Sequence, residues 1–155
     1  PWVRDWHCRV VGRTEGDTVV SAEIRREVGE AGVQRRVDVV GELNADDLMG
    51  AYLQAEIFVL ASRYEGYGMV FAEAMAHGLP VISCRAGAIP DTVPGHAGIL
   101  VPPDDPPALA DSIRLLLEDL PRRRTVADAA WAHGQTLARW PDTAKRIADV
   151  MEQVK

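Results

Sequence analysis

Short runs of apolar, largely β-branched residues alternate along this chain with windows in which apolar positions recur every three or four residues. The runs predict strands at His7 to Val11, Val37 to Val40, Ile57 to Leu60, Val81 to Cys84 and Gly98 to Val101. Alternation of strand and helix is the sequence signature of a parallel sheet covered by helices. Between the first two strands, Ile24, Val28 and Ala31 mark one helical face, Glu23, Arg25, Arg26, Glu27 and Glu30 mark the other, and Gly32 closes the helix. The second helix is predicted to start at Asn44, an N-cap with Asp47 three residues on, and carries Leu48, Met49, Tyr52 and Leu53 on one stripe.

Beyond Leu60 the chain changes character. Ala61 to Gly68 is polar and punctuated by glycine, and it leads into a helix from Met69 to His77 that is apolar nearly all round, with Glu73 and His77 its strongly polar members. Such a helix belongs in the interior. Gly78 and Pro80 end it. Seven of the ten prolines fall between Pro80 and Pro107, which predicts loops and short extended pieces there. Three helical windows follow: one from about Pro106 with Leu109, Ile113, Leu116, Leu117 and Leu120, one from Pro121 to Trp140, and one from Pro141 with Ala144, Ile147, Ala148 and Met151. There is no internal repeat or low-complexity linker, so residues 1–155 are expected to form a single domain.

The length of 155 residues suffices to bury roughly 70% of the unfolded surface, and 47% apolar with 26% charged residues is an ordinary globular balance. Seventeen basic against 23 acidic side chains leave a net charge of −6, which disfavours nucleic acid and anionic lipid as direct partners. Cys8 and Cys84 lie in apolar runs without metal-ligand spacing, so both are expected to be reduced core thiols of a cytoplasmic protein. No apolar stretch approaches the ~20 residues of a membrane span.

Candidate chemistry concentrates between Leu60 and Glu73. In open α/β sheets, ligands bind beyond the carboxyl ends of strands, where a loop meets a helix N-terminus. Gly66 and Gly68 permit close backbone approach, and the amides around Met69, Val70 and Phe71, with the positive end of the helix dipole, suit an anion such as a diphosphate. Glu65 precedes the helix. Glu73 follows in its second turn among hydrocarbon, where a carboxylate calls for a partner such as the hydroxyl pair of a ribose. A plainer reading stands beside this one: early acidic residues offset a helix dipole, and Gly-x-Gly turns simply turn. It accounts for Gly66 and Gly68 but not for Glu73.

Ser62 to Ile82, with Glu65 and Glu73 separated by seven residues, resembles the donor-binding signature of group 1 (family 4) retaining glycosyltransferases of the GT-B fold. The resemblance continues through Gly87-Ala88-Ile89-Pro90-Asp91 and Ala97 to Asp105 and covers essentially the whole chain. It implies a Rossmann-like α/β domain of three layers, a mainly parallel sheet flanked by helices, forming the C-terminal half of such an enzyme. It also implies a nucleoside diphosphate sugar as donor and hexosyl transfer without a metal or other cofactor. On this basis Glu73 would accept hydrogen bonds from the ribose hydroxyls. Glu65 would contact the transferred hexose and stabilise positive charge at its anomeric carbon. The backbone of Gly66, Tyr67, Gly68, Met69 and Val70 would hold the diphosphate and sugar, and Gly41-Glu42-Leu43 would line the base pocket. Arg63, by its place just before Glu65, is expected to edge the donor pocket.

Two departures accompany the resemblance. Asp91 stands where the family commonly has Glu. The first strand and helix of such a domain, with an Arg and a Lys that grip the diphosphate, and the N-terminal domain that holds the acceptor (a sugar, lipid or glycan), would lie upstream of Pro1. The 155 residues alone are therefore expected to be inactive or nearly so, and the parent enzyme can be peripheral at the inner face of a membrane. Arg13 either approaches the phosphates or is a solvated turn residue. His77 either orients Glu73 or closes the helix end, and Tyr64 either edges the pocket or packs. The tryptophans near the chain ends are either core or part of a surface facing the other domain. The rivals are a nucleotide-sugar epimerase or a phosphorylase of the same plan, the latter disfavoured because only Lys145 and Lys155 are available for a pyridoxal phosphate, and a non-catalytic flavodoxin-like module.

Overall fold

In a computed structural model of the chain, residues 6–12, 18–66, 68–137 and 140–153 are described. The chain divides into two compact units, Pro1–Ala55 and Glu56–Lys155.

The first unit contains β1 (Cys8–Val11), α1 (Thr18–Glu30), β2 (Val37–Gly41) and α2 (Ala45–Gln54). β1 and β2 pair in parallel, with Cys8 opposite Val37 and a shift that brings Val11 opposite Gly41. That shift carries β2 one residue beyond the predicted Val40. Gly41 takes φ +77°, a left-handed conformation that glycine adopts without penalty, and its carbonyl receives the Gly12 N–H at 2.9 Å. Asn44 caps α2 as expected: its side chain accepts the Asp47 N–H at 2.9 Å and donates to the Asp47 carboxylate at 2.7 Å. Trp6 lies under the Arg36 guanidinium, 5.3 Å from the ring centroid.

One expectation fails in this unit. Cys8 is exposed, not in the core, because β1 leaves most of its short length open to solvent; Cys84 is buried as expected, and both thiols are free. The Cys8 thiol itself is partly covered, and that burial pushes its pKa up, with the nearby Asp38 carboxylate adding to the rise.

The second unit contains β3 (Phe58–Leu60), α3 (Met69–Ala76), β4 (Val81–Cys84), α4 (Ile89–Thr92), β5 (Gly98–Val101), α5 (Pro106–Glu118), α6 (Leu120–Gly134) and α7 (Trp140–Gln153). Its three strands pair in parallel in the order β3-β4-β5, so the strand buried at every position, β4, is central. The buried Ser83 hydroxyl donates to the Leu60 carbonyl at 2.6 Å and ties β4 to β3. Phe71, Met75, Val81, Ile82, Ile89 and Leu116 are the large, fully buried side chains around this sheet, and the Phe71 ring meets Phe58 edge to face at 5.9 Å.

Helix ends follow their caps. Asp105 accepts from the Ala108 N–H at the start of α5, and Asp119 accepts from the Arg122 N–H at the start of α6. α4 is a helical turn inside the proline-rich stretch predicted as loop and extended chain; Pro90 fits in its first turn, where no amide donor is required. The predicted window from Pro121 to Trp140 is broken at Gly134, where a β-carbon would stand 2.6 Å from the backbone of Met75 and Ala76. α6 thus packs on α3 at van der Waals closeness. Of the arginines at the α6 start, Arg122 and Arg124 are solvated, but Arg123 is only 14% exposed and binds Glu56 at 2.8 Å. On α7, Ile147, Val150 and Met151 are exposed, as is Trp131 on α6.

Candidate functional site

The site grows from the carboxyl end of β3. Residues 61–66 continue beyond Leu60 without helix or strand, and Gly68 then opens α3 as its N-cap. Gly68 takes φ +76°, and a β-carbon there would press to 2.9 Å from the Phe71 ring, so both backbone and space demand glycine. Its carbonyl accepts the Phe71 N–H at 3.0 Å and the Ala72 N–H at 3.3 Å. Phe71 is therefore engaged inside the helix, and the donors turned outward are those of Met69 and Val70, at the positive end of the dipole.

Gly66 is different in kind. It is exposed, its φ lies outside the left-handed region, and among the described residues no atom beyond its chain neighbours stands within 4 Å of where its β-carbon would be. Nothing in the fold requires glycine there. The space beside its α-carbon is open.

Glu65 is half-buried and its backbone is clamped. The Ala88 N–H donates to its carbonyl at 3.2 Å, and Gly87, at φ +53°, comes so close that a β-carbon would lie 2.7 Å from the same oxygen. Its Cγ lies near Gly68, 3.5 Å from where a β-carbon would be, so the side chain extends toward the start of α3. Glu73, one and a half turns into α3, is exposed and not embedded in hydrocarbon as its neighbours in sequence suggest, because α3 buries the face bearing Phe71, Ala74 and Met75 and turns Glu73 away from it. His77 closes the helix: Nδ1 lies 2.8 Å from the Glu73 carbonyl oxygen, and since a carbonyl only accepts, Nδ1 carries the proton.

Arg63 donates from Nε to the Asp104 carboxylate at 2.7 Å, while Tyr64 is 82% exposed and thus is not a packing residue. Gly41, Glu42 and Leu43 belong to the first unit: Gly41 is buried, Glu42 exposed and Leu43 half-buried. Leu43 lines a cleft of about 360 Å³ there with Arg9, Asp38, Asp46 and Asp47. Three carboxylates against one cation make that cleft unsuited to a diphosphate. Arg13 and Tyr67 lie outside the described residues. Among the described residues no group of three His, Cys, Asp or Glu side chains is arranged to hold a metal ion, and no helix is long and apolar enough to cross a membrane.

Three residues of this arrangement escaped the sequence reading as site components: Gly87, Ala88 and Asp104. Gly87 left a signal, a lone glycine just after a strand, where left-handed backbone is common. Asp104 left none, since its partner is 41 residues away.

Residues 2–119 match the family of group 1 glycosyl transferases. The chain belongs to that family. It is 32% identical over 149 residues to the D-inositol 3-phosphate glycosyltransferase of Corynebacterium glutamicum, covering 94% of this chain and 35% of that protein. The C-terminal domain of the group 1 glycosyl transferase LpcC of Francisella tularensis superposes with a TM-score of 0.78 at 30% identity, over 85% of this chain and 69% of that one. Anabaena HepE, solved in complex with UDP-glucose, shares the fold with a TM-score of 0.86 at 24% identity, over 95% of this chain and 41% of HepE. This group 1 chain therefore has the Rossmann-like fold of the C-terminal domain of GT-B glycosyltransferases, and it spans about a third of the length of the corynebacterial relative.

Proposed function

We propose that this chain is the donor-binding domain of a retaining, metal-independent glycosyltransferase that moves a hexose from a nucleoside diphosphate sugar to an acceptor held by another domain. The observation that carries the reading is the juxtaposition at the α3 entrance. A carboxylate, Glu65, is fixed by its backbone beside outward-facing amides of Met69 and Val70, next to a glycine, Gly66, that the fold does not need. HepE, of the same fold, was solved with UDP-glucose, which is a ligand of the proposed class.

On this reading the α3 amides and dipole receive the negative charge that builds on the departing diphosphate, a stabilisation strongest as the sugar-oxygen bond breaks. Glu65 faces the anomeric carbon and opposes the positive charge developing there. Glu73, exposed on α3, accepts two hydroxyl hydrogens of the ribose with one carboxylate. Arg63 borders the site. On this reading the acceptor half and further cations for the diphosphate belong to the remainder of such an enzyme, the chain spanning about a third of the corynebacterial relative. Without them the cleft that excludes water is incomplete, and the chain alone transfers no sugar.

Calorimetric titration with UDP-, GDP- and ADP-sugars tests the assignment, first on this chain and then on one extended upstream. Saturable binding to one of them that Glu73→Ala weakens is the expected result. No binding to either form overturns the donor site, and sugar transfer by the 155 residues alone overturns the requirement for a second half.

A further inference from the structure

The loop that carries Glu65 has neither helix nor strand over residues 61–66, so its shape depends on what its neighbours hold. One hold is the clamp from Gly87 and Ala88. The other is the Arg63–Asp104 pair at 2.7 Å, which joins this loop to the connection between β5 and α5.

Asp104 stands out in its own right. Among the described residues it is the one non-glycine with a left-handed backbone, at φ +58°. Aspartate tolerates that conformation better than most side-chain-bearing residues, yet such a position persists only where the surroundings determine it. The next residue, Asp105, caps α5 by accepting the Ala108 N–H at 3.0 Å, and α5 is anchored by the fully buried Leu116. Asp104 therefore projects its carboxylate from a fixed post, and Arg63 is tied to that post.

We propose that Asp104 is a positioning residue of the donor site: by holding Arg63 it fixes the Glu65 loop at a second point, in addition to the Gly87 clamp. The proposal rests on the reading of Glu65 as the residue that meets the donor sugar. Both partners are well exposed, with side chains 80% and 64% accessible, so the pair adds little to global stability. Its effect is local. Releasing Arg63 leaves the Gly87 and Ala88 clamp on the Glu65 backbone as the remaining hold described above, and the Ala88 N–H that binds the Glu65 carbonyl is a direct reporter of it.

Amide exchange at Ala88 is read without any donor, and donor affinity is read by calorimetry with UDP-, GDP- and ADP-sugars. Asp104→Asn is expected to raise exchange at Ala88 and to weaken donor binding, each by about three- to fivefold, the range that one exposed ion pair supplies. The melting temperature stays unchanged. Asp104→Glu, which keeps the carboxylate, restores both. Asp104→Gly relieves the backbone while removing the carboxylate, so it loosens the loop in a protein at least as stable as the parent, a combination that a merely structural role does not produce. Unchanged Ala88 exchange in Asp104→Asn and Asp104→Gly overturns the proposal. Tighter donor binding in Asp104→Asn also overturns it, since Asp104 would then compete with the diphosphate for Arg63. If exchange responds but the parent binds none of the three donors, the donor reading of the site fails and the positioning role falls with it.

Discussion

Gly87 and Glu65 touch through their backbones: a β-carbon at Gly87 would stand 2.7 Å from the Glu65 carbonyl oxygen and 3.1 Å from its nitrogen. Gly87→Ala meets this contact and a left-handed φ of +53° at once, and neither obstacle is a side chain able to swing aside. Destabilisation by about 1–3 kcal/mol is expected. The Glu65 loop is displaced in the same step. Urea unfolding and donor titration on one preparation check both effects, and parent-like values in both would remove the clamp.

Gly66→Ala is expected to behave in the opposite way. Among the described residues nothing beyond the chain neighbours stands within 4 Å of the new methyl group and the backbone is not left-handed, so the fold accepts it, with a gain of about 0.4–1 kcal/mol from the stiffer unfolded chain. The methyl then occupies space proposed for the ligand. A higher melting temperature with weaker donor binding is the expected pair of results; unaltered affinity would show that no ligand approaches there.

Glu73→Gln separates binding from stability. The side chain is exposed, so unfolding free energy shifts by about 0.5 kcal/mol or less. Losing two charge-assisted hydrogen bonds to a ribose costs donor affinity roughly ten- to hundredfold. Thermal melts and calorimetry measure the two quantities, and donor affinity equal to the parent's would reject the ribose contact.

Cys8 yields a pH test. Burial of the thiol, and then the Asp38 carboxylate, raise its pKa, so less thiolate is present at a given pH than for a free cysteine. The alkylation profile with iodoacetamide is expected to lie at higher pH than that of a free thiol. Asp38→Asn moves it only part of the way back, because burial, the larger cause, remains. A complete return would show that Asp38 alone sets the shift.

Much of the second unit was legible because its elements are local patterns. Apolar β-branched runs predicted the positions of β3, β4 and β5 to within a residue, and the Leu116 stripe of α5 is anchored in the interior; in the first unit, Asn44 likewise marked the start of α2. Where prediction failed, a distant contact had intervened. The last residue of α6 must be glycine because Gly134 presses on the backbone of Met75 and Ala76, some 58 residues earlier, and no helical periodicity reports that. Glu73 sits in an apolar string, but its exposure depends on which face of α3 meets α6 and the sheet.

The sequence by itself determined that this is a parallel α/β chain, and that a glycine-marked helix entrance flanked by Glu65 and Glu73 follows its third strand. Spacings of two, three and four residues suffice for that, since they set which side chains share a face. Only the tertiary structure decided what holds Glu65: Gly87 and Ala88 from one connection and, through Arg63, Asp104 from another. These residues meet because β3, β4 and β5 run in parallel register and deliver their following loops to the same edge of the sheet. Register is a property of the paired strands together, and no single segment carries it.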